Sequence, residues 1–135
     1  MSLIMWDDSF SVNIMEIDIQ HKKLLALVNE LHDAMKERKG QDVLSKILKG
    51  LIRYTETHFK TEEIYFDRFG YPGATEHINE HAEFNRKINE FKAGLENGKL
   101  GLSIDVMHFL SNWLKNHIKI TDMKYAGYFN EKGLK

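Results

Sequence analysis

The sequence predicts an all-α protein, an up-down-up-down four-helix bundle with an N-terminal arm. Three observations carry that prediction. Turn-forming clusters at Lys39-Gly40, Phe69-Gly70-Tyr71-Pro72-Gly73 and Asn97-Gly98-Lys99-Leu100-Gly101 cut the chain into four segments. Each segment repeats apolar residues at i, i+3, i+4 and i+7, and none alternates with period two. A single proline in 135 residues leaves long helices uninterrupted. Joints this short make consecutive helices antiparallel neighbours.

In chain order, residues 1–17 form the arm, with Trp6 and Phe10 expected across the outside of the bundle. Met5 offers an alternative start, which makes residues 1–3 candidates for vector-derived sequence. The first helix runs from about Asp18, read as its N-cap, to Glu37, with Leu24, Leu25, Val28, Leu31 and Met35 inward. The second runs from about Asp42 to Asp67, with Leu44, Ile47, Leu48, Leu51, Thr55, Phe59 and Phe66 inward. The third runs from about Thr75 to Glu96, with Phe84, Ile88, Phe91 and Leu95 inward. The fourth starts after Gly101, points Met107, Leu110 and Leu114 inward and reaches at least His117. The stretch from Gly127 to Lys135 reads as a docked tail that frays.

The whole chain, 1–135, is one domain by length. Its composition, 42% hydrophobic and 29% charged, is that of a folded protein and not a disordered one. With no cysteine there is no disulfide framework, no thiolate metal site and no cysteine nucleophile. A net charge of −1 argues against nucleic acid or an anionic membrane as the main partner. No stretch approaches the ~18 apolar residues of a membrane span. The acidic N-terminal segment has no basic start, so a cytoplasmic location is expected.

The seven histidines are the informative residues. His21 opens the first helix, His58 lies in the last third of the second, His77 and His81 open the third, and His117 closes the fourth. In an up-down-up-down bundle these places meet at one end. Their phases agree, since each falls on the inward row of its helix. One histidine on an apolar face is ordinarily a hydrogen-bonded core residue. Five in one layer are different, because each buried ring needs partners for two nitrogens and an apolar core offers few. A metal takes one nitrogen and leaves the other for an outer acceptor. Glu62, four residues after His58, shares its face. Asp122 stands five residues after His117, ~140° out of phase in a regular helix. It reaches the layer only if the fourth helix loosens there through a π-type turn or ends. His108 is about half a turn out of phase with His117, and His32 lies ~16 Å along the axis from His21, so neither joins the cluster.

Five blocks in order, WDDSFSV at Trp6–Val12, IDIQHKKL at Ile17–Leu24, HFKTEE at His58–Glu63, HINEH at His77–His81 and HIKITD at His117–Asp122, make the chain resemble the hemerythrin family, and the single-domain bacterial type in particular. Single His-x-x-x-His or His-x-x-x-Glu pairs are weak signals, but the ordered set is specific. The resemblance implies a non-haem di-iron site that binds O2 reversibly, with His21, His58, Glu62, His77, His81, His117 and Asp122 as metal ligands. It also implies that His77, His81 and His117 serve one iron and His21 and His58 the other. Two six-coordinate ions offer about twelve positions. Five imidazoles, two bridging carboxylates and an oxo or hydroxo bridge leave one open for a small ligand.

Phe59, Trp113, Leu114 and Ile118 adjoin these residues and are expected to wall a dry pocket. The expected role is that of an O2 carrier, store or sensor module and not an enzyme, in a monomer that passes O2 to a protein acceptor. The alternative is a di-iron enzyme, a peroxidase or a nitric oxide reductase-like protein. A proton-donating side chain at the open iron would favour it, with Tyr65 and Tyr125 the candidates. A structural zinc bundle fits poorly, since seven ligands exceed one closed tetrahedral site.

Overall fold

The structure, a computed structural model of the chain, describes residues 4–97 and 103–135. The joint expected at Asn97–Gly101 falls mostly outside that range, as do residues 1–3. Helices α1 (Met15–Lys36), α2 (Gln41–Phe69), α3 (Ala74–Glu96) and α4 (Ser103–Asn116) form the bundle. A π-helical turn, His117–Asp122, and a last helix, α5 (Met123–Glu131), continue α4. Among the described residues there is no strand. No helix among them is long and apolar enough to cross a membrane.

Most residues of the expected inward faces are buried, with Val28, Leu51, Phe84, Ile88 and Leu110 each 0% exposed, while Met35, Ile47, Phe91 and Leu95 are half-buried against them. Two apolar clusters result. The larger, built on those side chains, fills most of the bundle. The smaller, with Val12, Ile14, Ile17, Phe66, Tyr125 and Phe129, caps one end. Each fully buried Leu or Phe contributes roughly 1.5–3 kcal/mol, so these faces dominate folding. The turn between α2 and α3 is set by Gly70, whose φ of +61° is the left-handed conformation that glycine adopts without strain. It lets the Tyr71 N–H return to the Phe66 carbonyl at 3.0 Å and closes the helix end.

Three expectations need correction. Asp18 is not an N-cap, because α1 begins at Met15 after an extended Ile14. The Asp18 carboxylate instead accepts the Val12 N–H at 2.9 Å and the Ser11 hydroxyl, and so fastens the arm to the first helical turns. The arm therefore ends at residue 14, and it does not lie wholly outside. Phe10, Val12 and Ile14 are buried, Trp6 stacks on Phe10 at 5.6 Å, and Ile4 exchanges two backbone hydrogen bonds with the Asn29 amide. The C-terminal stretch does not fray from Gly127. α5 runs to Glu131 and buries Tyr125 and Phe129, because its aromatic residues recur at helical spacing and close the capping cluster.

Candidate metal centre

Between the two apolar clusters lies a polar layer. The described residues include nine buried polar side chains. Seven of them are His21, His58, Glu62, His77, His81, His117 and Asp122, none more than 3% exposed. All seven residues that the sequence picks out meet here. His32 is half-buried beside Asp33, and His108 is exposed, so both stay out of the layer.

Asp122 arrives by the loosened helix. The π-helical turn spans the five-residue step from His117 and carries both side chains inward, with Asp122 0% exposed. Its carboxylate straddles the layer. Oδ1 lies 3.0 Å from His77 Nε2 and 3.1 Å from His117 Nε2, while Oδ2 lies 3.0 Å from His21 Nε2. Glu62 straddles it too, with Oε1 3.1 Å from His58 Nε2 and 3.3 Å from His81 Nε2, and Oε2 3.7 Å from His77 Nε2.

These atoms are close, yet the ring nitrogens of His21 and His77 and all four carboxylate oxygens make no hydrogen bond of good geometry. They aim between one another. Two sets emerge, His77, His81, His117 and Glu62, and His21, His58, Glu62 and Asp122. Within each set the donor atoms lie within 4.8 Å of one another, and the sets share Glu62.

The outer ring nitrogens fix what the inner ones offer. His81 Nδ1–H donates to Glu63 at 3.0 Å, His117 Nδ1–H to Glu80 at 3.1 Å, and His58 Nδ1–H to Gln20 Oε1 at 2.6 Å. Each Nε2 is thereby turned into the layer, where it can carry a proton or bind a cation. The His81 and His117 Nε2 atoms nevertheless face each other at 3.2 Å. Two ring nitrogens at that distance call for a positive charge between them, a proton or a metal ion.

The electrostatics show the same demand. Burial alone pushes the His117 imidazole down, but the charge of the adjacent Asp122 carboxylate, then Glu80, pulls it up to about 10. Burial pushes Asp122 up, and the imidazoles of His117, His21 and His77 hold it well below the usual carboxylate range. For Glu62, burial and then the like charge of Asp122 push upward, and His58 and His81 outweigh both. A cluster of imidazoles and carboxylates with orphaned, converging atoms fits a metal of the borderline to hard kind.

Aromatic and aliphatic side chains close the layer. Phe59 stacks on His81 at 3.7 Å and 5°, and Trp113 stacks on His117 at 4.3 Å and 14°. Phe59, Leu114 and Ile118 are buried, and Trp113 is half-buried against them. Tyr125 is fully buried beside His77, with ring centroids 5.5 Å apart. Burial first, then the charges of Asp122 and Glu62, hold its phenol well above its ordinary value. Tyr65 points away, its hydroxyl donating to Glu16.

The sequence reading missed Gln20, Glu63 and Glu80. All three sit beside a cluster residue in the chain, Gln20 before His21, Glu63 after Glu62 and Glu80 before His81. A polar residue adjacent to a buried histidine was the available signal.

Comparison with known proteins decides the family. The model of the hemerythrin HHE cation-binding domain matches residues 13–129. This chain belongs to the hemerythrin family. It is 31% identical to a bacteriohemerythrin of Pseudomonas aeruginosa over 126 residues, covering 93% of this chain and 81% of that one. It is 35% identical to a hemerythrin-like protein of Naegleria gruberi, covering 90% of each. A crystal structure of wild-type hemerythrin superposes with a TM-score of 0.86 at 30% identity, covering 93% of this chain and 97% of that one. The four-helix bundle and the cation-binding character of the hemerythrin domain follow from that membership.

Proposed function

We propose that this hemerythrin domain binds O2 reversibly at two non-haem iron ions, with His77, His81 and His117 on one, His21 and His58 on the other, and Glu62 and Asp122 shared. The observation that carries the reading is the split of the Asp122 carboxylate, one oxygen toward His77 and His117 and the other toward His21. A carboxylate set that way suits two cations better than one. When bound, the iron pair supplies the electrons and the open coordination position that O2 needs.

The protein's own part is to orient and to exclude. Outer acceptors on His58, His81 and His117 hold each ring in one tautomer. Phe59, Trp113, Leu114 and Ile118 keep water and protons from the layer, which favours release of O2 intact over its reduction. The Tyr125 ring lies against His77 with its phenol near Asp122 and Glu62, and Tyr65 is engaged with Glu16. A phenol held well above its ordinary value keeps its proton, which favours a carrier, store or sensing module over a peroxidase or a nitric oxide reductase-like enzyme.

The test is the absorption spectrum of the iron-loaded, anaerobically reduced chain. A visible charge-transfer band should appear with air and vanish on degassing, at two irons per chain. A band that never reverses, with turnover of peroxide, would replace the carrier reading by the enzymatic one. Saturation at one ion would remove the paired site.

A further inference from the structure

The two sets differ in what stands behind their rings. Behind the three-imidazole set are two carboxylates, Glu63 on His81 and Glu80 on His117. Glu80 is itself held by the Thr121 hydroxyl, which donates to it at 2.9 Å. Behind the two-imidazole set is an amide, Gln20 on His58 at 2.6 Å. That amide cannot turn over. The Thr61 hydroxyl donates to the Thr57 carbonyl at 3.1 Å, so toward Gln20 it can only accept, and it takes the Gln20 Nε2–H at 3.2 Å. The Gln20 oxygen is thereby committed to His58.

An imidazole whose N–H is held by a carboxylate is a stronger donor than one held by a neutral amide, because the hydrogen bond is charge-assisted and leaves more electron density on the ring. We propose that Glu63, Glu80 and Gln20 are positioning residues that grade the two cation positions. The three-imidazole position holds its ion tightly and favours the ferric charge. The two-imidazole position holds its ion loosely and favours the ferrous charge. The inference rests on the two-iron reading above and goes beyond it in assigning the asymmetry to three residues that touch no metal.

The test uses the full chain loaded with iron(II) under argon, and the iron content is measured first. A chain that never takes up two irons overturns the two-iron reading itself. With two bound, excess bipyridine is added and iron release is timed. Wild type should release its ions in two phases. Q20E should slow the fast phase about tenfold or more and leave the slow one. E63Q and E80Q should each speed the slow phase roughly 10–100-fold. Glutamine at 63 or 80 keeps the volume and the acceptor oxygen, so the charge is what changes there; glutamate at 20 also gives up the N–H that Thr61 accepts, and Thr61→Val beside it separates that loss from the charge.

A mediated redox titration gives the second readout, one that a packing role would not move. The midpoint potential should rise in E63Q and E80Q and fall in Q20E. Release of both ions in a single phase by wild type, or potentials that stay put or move together in opposite charge swaps, overturns the grading while two bound irons leave the site standing.

Discussion

The two ends of this bundle are built on opposite logic. The end around Leu31, Leu51, Ile88 and Leu110 is dry and apolar, and its helices associate because burying those faces is favourable in itself. The other end packs five imidazoles and two carboxylates into a layer where orphaned atoms face one another. Burying such groups is costly unless each finds a partner. The apolar clusters on either side, one around Phe59 and Phe84 and one around Phe66 and Phe129, hold that layer together against its own cost. One end makes the fold, and the other uses surplus stability to keep a cation site assembled.

Taking the cation away should separate the ends most sharply. A ligand at a thousand times its Kd adds about 4 kcal/mol to the folded state. Stripping iron with a chelator should therefore lower the unfolding temperature. It should also raise amide exchange around His21, His58 and His117 before exchange rises around Leu51 and Ile88. Uniform exchange along α2 would show that the two ends are one cooperative unit.

Changes to the shared carboxylates come next. Glu62→Ala or Asp122→Ala removes one side of several buried pairs, a loss of about 3–5 kcal/mol. Iron content should fall below two per chain. Leu51→Ala, in the dry end, should cost a comparable 2–5 kcal/mol in denaturant unfolding, yet leave two irons and the same spectrum. If Leu51→Ala emptied the site, the division between ends would be wrong.

The pocket wall gives a smaller effect. Leu114→Glu or Ile118→Glu places a proton donor or competing ligand against the layer. Each variant should keep two irons but oxidise faster in air, followed as loss of the reversible band. An unchanged oxidation half-life would mean that these side chains do not guard the site. The smallest change is His108→Ala on the exposed face, expected within about 0.5 kcal/mol of wild type with iron content and spectrum untouched.

Much of this contrast is legible in the sequence, and the reason is periodicity. His58 shares a row with Leu48, Leu51 and Thr55, and His77 and His81 share one with Phe84 and Ile88, so helical phase alone sends them inward. Asp122 is legible only as a conflict, five residues from His117 where a regular helix would turn it away. The π-helical turn resolves that conflict. Gln20 is not legible in this way. Its role depends on reaching across from α1 to His58, 38 residues on, and on the direction of the Thr61 hydroxyl. Asp18 was misread for a related reason. An acidic residue near a helix start satisfies any nearby N–H, and here the nearest belongs to the arm. The tail was misread because Gly127 looks like a break, whereas Tyr125 and Phe129 on either side of it are both buried.

The π-helical turn also sets when the site can come into being. The seven side chains are spread from residue 21 to residue 122, and the pair on that turn is the last to be synthesised. Until those residues fold back, the N-terminal three-quarters of the chain holds His21, His58, Glu62, His77 and His81, without His117 and without the second straddling carboxylate, Asp122. The contacts that finish the site are thus among the most distant in the chain, and distant contacts form late. A full set of seven side chains therefore exists only once α4 and the π-helical turn have closed on the bundle, so ion uptake at full affinity would report that closure.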